Sequence, residues 1–130
     1  MGYSYSGLLV GANTEGSIVD CYTDGHVSSC NYTGGLLGFN LLGIIINSAT
    51  KGEVDGNNFT GGFVGYNNIG IIKMCISESN VSGYYFTGGF AGFNLNSMLS
   101  SCTTISNIEG IENTAIIAGF NSEDLHRIKF

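Results

Sequence analysis

Proline is absent from this chain and basic residues are scarce: four lysines and arginines stand against ten aspartates and glutamates, a net charge of −6. A nucleic-acid partner needs a basic surface, which this composition does not supply. Docking by charge on an anionic membrane is excluded for the same reason. No apolar run approaches the roughly 20 residues of a spanning helix, so membrane insertion is not expected. The opening Met1-Gly2-Tyr3-Ser4-Tyr5 lacks the basic start and apolar core of a secretory leader. It also begins in the middle of a repeat, and the expectation is that further coils precede Met1 in the native protein. Charged residues make up only 11% of the chain, against about 25% in an average soluble domain. The remainder is rich in apolar residues, at 43%, and in glycine, at 21 residues. Low charge, many β-branched residues and many glycines favour an all-β chain with tight corners. The length of 130 residues sets one domain, 1–130.

The strongest positive signal is a period of 27 residues, held without insertion. Asn13, Asn40, Asn67, Asn94 and Asn121 stand 27 apart, and two positions before each is a glycine: Gly11, Gly38, Gly65, Gly92 and Gly119. The repeats run 6–32, 33–59, 60–86 and 87–113, with a partial fifth over 114–130. Three apolar columns lie 9 residues apart within each repeat. They are Leu9, Leu36, Phe63, Phe90 and Ile117; Ile18, Ile45, Ile72 and Leu99; and Val27, Val54, Val81 and Ile108. A flexible low-complexity tract would lack such columns, and propeller blades need roughly 40 residues or more. The apolar runs are short, bounded by glycine and β-branched, which points to strands.

The expected fold is a right-handed parallel β-helix, a β-solenoid of about five coils of 27 residues with three short strands in each. Coils would stack about 4.8 Å apart and give a column about 24 Å tall. One coil cannot bury its own apolar face, whereas stacked coils can. The asparagines then form an amide ladder along the axis. The glycine before each marks backbone too crowded, or too left-handed, for a Cβ. Gly16, Gly25, Gly43, Gly52 and Gly70 are expected at further corners. With Leu36 and Asn40 pointing inward, strand alternation sends Leu37 and Phe39 outward. The column Ala12, Phe39, Tyr66, Phe93, Phe120 would then be an exposed aromatic stripe, a mark of binding or assembly. It would stack on sugar rings or pack against a neighbouring segment; the alternative is that the rings tuck over nearby glycines. Phe39, Tyr66, Phe93 and Phe120 are therefore the candidate partner-binding residues.

The stretch Thr33-Gly34-Gly35-Leu36-Leu37-Gly38-Phe39-Asn40, followed by Gly43-Ile44-Ile45-Ile46-Asn47-Ser48-Ala49-Thr50-Lys51-Gly52-Glu53-Val54, resembles the GLUG motif repeat. The likeness extends from about Ser6 to Asn121. That motif holds turn and core positions and no catalytic residue. The resemblance implies a bacterial secreted or cell-surface setting, as non-catalytic β-helical segments of large adhesins and of proteins carrying IgA-specific metallopeptidase domains. Two departures stand out: Lys73-Met74-Cys75-Ile76 replaces a polar stretch, and Ser97 replaces a corner glycine, so the fourth coil is expected to bend or fray.

Few residues offer chemistry. Cys21, Cys75 and Cys102 share a column with Ser48, which reads as buried thiols in a wall rather than a disulfide framework. Neither a C-x-x-C pair nor a histidine spacing supports zinc. Glu15, Asp20, Asp24 and His26 gather in the first coil, and paired carboxylates on a β-helix wall could serve glycoside chemistry. The acids nevertheless fall at non-equivalent repeat positions, which reads as solvated surface. The hydroxyl column Thr23, Thr50, Ser77, Thr104 lacks the second row of an ice-binding face. The charged run from Ser122 to Lys129 reads as a polar cap. The expected role is non-enzymatic, without cofactor, metal or catalytic site: a rigid stalk or adhesin module. Its partners would be a protein or glycan on a host or neighbouring cell surface, or further copies end to end or side by side. The alternatives are a carbohydrate-binding or carbohydrate-active β-helix and a phage or host-interaction fibre.

Overall fold

The computed structural model describes residues 5–115 and 118–122, the last five by their backbone. The chain is a β-solenoid with four walls, each a parallel sheet. The first wall stacks β1 (Tyr5–Ser6), β5 (Tyr32–Gly34), β9 (Phe59–Gly61), β13 (Tyr85–Gly88) and β18 (Glu112–Ala115). The second stacks β2 (Val10–Thr14), β6 (Leu37–Leu41), β10 (Val64–Asn68), β14 (Ala91–Leu95) and β19 (Ala118–Ser122). The third holds β3 (Ser17–Val19), β7 (Ile44–Ile46), β11 (Ile71–Lys73) and β15 (Met98–Ser100). The fourth holds β4 (Tyr22–Ser28), β8 (Ala49–Asp55) and β12 (Ile76–Ser82), on which both β16 (Thr103–Thr104) and β17 (Asn107–Glu109) pair. The described chain thus makes about four turns, with part of another, rather than five. No helix occurs among the described residues, and none is long and apolar enough to cross a membrane.

Every ladder runs in the register of one repeat. Asn40 faces Asn13 and Asn67, Ile45 faces Ile18 and Ile72, and Val54 faces Val27 and Val81. Of the expected core columns, Ile18, Leu36, Ile45, Val54, Phe63, Ile72, Val81, Phe90 and Leu99 are buried, Val27 and Ile108 are half-buried, and Ile117 lies outside the described residues. Leu9, in the first described coil, is 43% exposed. The stacked amides form the expected ladder, half-buried Asn13 Nδ2 donating to Asn40 Oδ1 at 3.0 Å, and buried Asn40 to Asn67 and Asn67 to Asn94 at 2.9 Å each. Each such bond contributes about 1 kcal/mol net, and an orphaned partner costs more.

Four strands per coil replace the three expected, because the first side of each coil folds back on itself at Gly34-Gly35-Leu36. There the amides of both Leu36 and Leu37 donate to Phe63 O, at 2.9 and 3.1 Å, and Phe63 and Val64 do the same to Phe90 O. Gly35 and Leu36 form a bend between β5 and β6, and the two amides on either side of it converge on one carbonyl. The bend resets the alternation, so Leu37 and Val64 are buried beside Leu36 and Phe63. The expectation of an outward Leu37 is overturned by this bend, since alternation holds only within one continuous strand.

The glycine column before the asparagines reflects crowding. A Cβ on Gly65 would lie 2.6 Å from Thr33 N, 2.7 Å from Gly38 O and 2.9 Å from Phe59 O, all backbone of the opposed first and second walls. Left-handed corners are made by other residues: Glu15, Leu42, Ile69 and Asn96 where the second wall meets the third, and Asp20, Asn47, Met74 and Ser101 where the third meets the fourth. For β-branched Ile69, at φ 52°, this is a strained conformation. Gly25 and Gly52 are not corners; they lie inside β4 and β8. Gly52, at φ +130°, packs against the Gly25 carbonyl of the coil below.

Ser97 does not disrupt the fourth coil. It is buried in the corner, accepting from Gly70 N at 3.0 Å and donating to Leu95 O at 2.7 Å. The fourth coil breaks elsewhere, at Ile105-Ser106 between β16 and β17. The charged run beyond Ser122, His126 included, lies outside the described residues.

Candidate functional site

The aromatic column of the second wall is one half of a double ladder. Phe39 and Tyr66 stack at 5.3 Å and Tyr66 and Phe93 at 4.7 Å. The second half belongs to the first wall: Tyr5, Tyr32, Phe59 and Phe86 stack at 4.9, 5.0 and 5.3 Å. Across the seam the rings meet edge to face, Tyr32 with Phe39 at 5.6 Å, Phe59 with Tyr66 at 5.2 Å and Phe86 with Phe93 at 5.2 Å. The bend at Gly35-Leu36 and the glycines at 38, 65 and 92 bring the two walls close enough for this meshing. Each pair adds about 0.5–1.5 kcal/mol beyond burial. All six rings from Tyr32 to Phe93 are half-buried. Along the columns their faces lie against one another, which leaves mainly edges for a partner. Burial pushes the Tyr66 phenol above its ordinary pKa.

Phe39, Tyr66 and Phe93 therefore stand together as expected, and β19 places Phe120 in register with Phe93, though its side chain lies outside the described ones. Ala12 ends the column in the first coil, where the Tyr5 ring packs 5.3 Å from Phe39. The sequence reading lacked the column Tyr5, Tyr32, Phe59, Phe86, although its 27-residue spacing marks it as clearly as the first.

The outer face of the fourth wall collects the charge. Asp24, Lys51 and Glu78 follow one another up one column; His26, Glu53, Asn80 and Asn107 form the next; Ser28, Asp55, Ser82 and Glu109 form a third. Lys51 Nζ lies 4.0 Å from Glu78 Oε2, and His26 Nε2 lies 2.8 Å from Asp55 Oδ2. Between these columns is an open depression of about 370 Å³ lined by Asp24, Lys51, Glu53, Glu78, Asn80 and Asn107, among others. The acids do cluster across neighbouring coils, contrary to the reading from repeat positions, because columns two residues apart share one face of a strand. The first-coil group is in turn dispersed: Glu15 and Asp20 occupy separate corners, and only Asp24 and His26 share the fourth wall.

The cysteine column sits where the third wall meets the fourth, and Cys21, Cys30 and Cys75 form no disulfide. Cys75 is buried, Cys21 and Cys102 are half-buried and Cys30 is exposed. Cys21, Ser48, Cys75 and Cys102 each donate to the carbonyl two residues before, which explains why serine substitutes in this column. Burial pushes the Cys75 thiol up to about 12, so it stays protonated and unreactive. The hydroxyl column faces inward: Thr50 and Ser77 are buried, and Thr23 Oγ1 donates to Thr50 Oγ1 at 2.7 Å. It offers no surface for ice. Outside the third wall, Val19 and Ile44 and the corner residues Leu42 and Ile69 are exposed.

The chain matches no protein-family model, no curated protein and no solved structure.

Proposed function

We propose that this chain is a non-catalytic, rigid repeat segment of a secreted or cell-surface bacterial protein, a stalk or adhesin module that fixes distance and presents its flanks. One observation carries the reading: all four walls keep the register of one repeat, so each coil is clamped to the next by parallel ladders, the amide column and the aromatic double ladder. Such a column resists bending because each wall would have to break pairs on one side. The likeness to the GLUG repeat supplies the bacterial surface setting. The partner is a protein or glycan of a host or neighbouring cell, met along the aromatic flank at Phe39, Tyr66, Phe93 and Phe120.

Single-molecule pulling from the two ends tests the mechanical half. A stalk yields in successive steps, each releasing one coil of 27 residues, or roughly 90 Å of extended chain. Loss of the whole fold in one event, at a force too small to distinguish from stretching unfolded chain, contradicts the reading. A second reading, a carbohydrate-binding face, is favoured by the polar depression on the fourth wall. A glycan array probes it: specific binding that is lost in Asn80→Ala supports this reading, and an empty array leaves the spacer role alone.

A further inference from the structure

We propose that His26, Glu53 and Asp55 form a site for a divalent transition metal of the zinc class, bridging the first two coils. The three side chains come from two adjacent rungs of the fourth wall. His26 on β4 is paired in register with Glu53 on β8, and Asp55 stands two residues further along β8, on the same outward face. One ligand atom from each lies within 4.8 Å of the others, and His26 Nε2 already sits 2.8 Å from Asp55 Oδ2. Side-chain exposures of 56% for His26 and 49% for Asp55 leave coordination positions open to water.

The donor set selects the ion. One imidazole nitrogen with two carboxylates suits zinc, cobalt, nickel or manganese, whereas calcium and magnesium prefer oxygen alone. The charge balance also favours a cation. Glu53 and Asp55 bring two negative charges, and the one lysine on β8, Lys51, leans to Glu78 in the coil above. Coordination replaces the His26–Asp55 hydrogen bond: the Nε2 lone pair goes to the metal, and the ring proton resides on Nδ1 or, from an imidazolium, leaves to solvent. The structural consequence is a link between two neighbouring coils. The first described coil is the less well buried, with Leu9 exposed, and a metal clip would fasten it to the second.

The site was hidden from motif spacing because its ligands are separated by one coil, not by a few residues. The proposal is independent of the stalk reading, and its experiment does not measure mechanics or partner binding. The full chain, stripped with chelator, is titrated with zinc chloride by calorimetry and followed by NMR of its two histidines. The expected result is one zinc per chain, with His26 ring resonances shifting and those of His126 unmoved. The affinity falls at least tenfold in each of His26→Ala, Glu53→Gln and Asp55→Asn, and is unchanged in Asp24→Asn and Cys30→Ser. Zinc also raises the melting temperature of the unaltered chain but not of His26→Ala. Circular dichroism of each variant confirms the β-solenoid, and these outward positions tolerate the changes. Three outcomes overturn the proposal: no saturable binding below 0.1 mM (about the limit of a useful site, on the order of 5 kcal/mol), binding that survives His26→Ala, or binding lost in Cys30→Ser alone.

Discussion

Where the first two walls meet, Phe59 has a ring above it at 5.3 Å, a ring below at 5.0 Å and Tyr66 edge-on at 5.2 Å. On the fourth wall, the column Asp24, Lys51, Glu78 is held by a contact of 4.0 Å between exposed groups. Both flanks obey the same stacking rule. On the aromatic flank, stacking like on like is favourable in itself, and the rings spend their faces on each other. On the acidic flank, like charges one rung apart would repel, so no two acids occupy adjacent rungs of these columns, and much of their bonding capacity stays open to solvent. The first flank holds the column together; the second is where chemistry can enter from outside.

Substitutions sharpen this contrast. The largest effect is expected at Gly65→Val, whose branched side chain has no room between the first and second walls: stability should fall by about 4 kcal/mol or more in chemical denaturation, enough to unfold the chain. Asn67→Ala removes two ladder bonds and strands its neighbours, so a loss of about 3 kcal/mol is expected in the same assay. Phe59→Ala opens the double ladder but at a half-buried site, and about 2 kcal/mol is the expected cost. Glu78→Gln, on the acidic flank, should change stability by less than about 0.5 kcal/mol. Equal losses for Phe59→Ala and Glu78→Gln would erase the distinction between the flanks.

The sequence carried the period, the amide ladder and the apolar columns because each is a column of one residue type, which self-comparison at 27 residues exposes directly. The fourth strand and the inward Leu37 were not legible. They depend on a bend at Gly35-Leu36, and strand alternation read from sequence assumes an unbroken strand. Gly25 and Gly52 were misplaced for a related reason: a glycine needed for close approach between strands looks the same as one needed for a turn. The grouping of His26, Glu53 and Asp55 was invisible because it joins unlike residues from neighbouring columns, where no repeated identity draws attention. The second aromatic column was legible and lay at the boundary used to divide the repeats, with Tyr32, Phe59 and Phe86 closing successive units.

The central claim, that residues one repeat apart lie on adjacent rungs, is tested most directly by the side-chain amides of the asparagine ladder. In a nuclear Overhauser spectrum of isotope-labelled protein, the Asn67 side-chain amide should show cross-peaks to those of Asn40 and Asn94, and all three should exchange slowly with deuterium. Amides that show no mutual cross-peaks and exchange as fast as those of an open chain would contradict the stacked architecture and everything built on it.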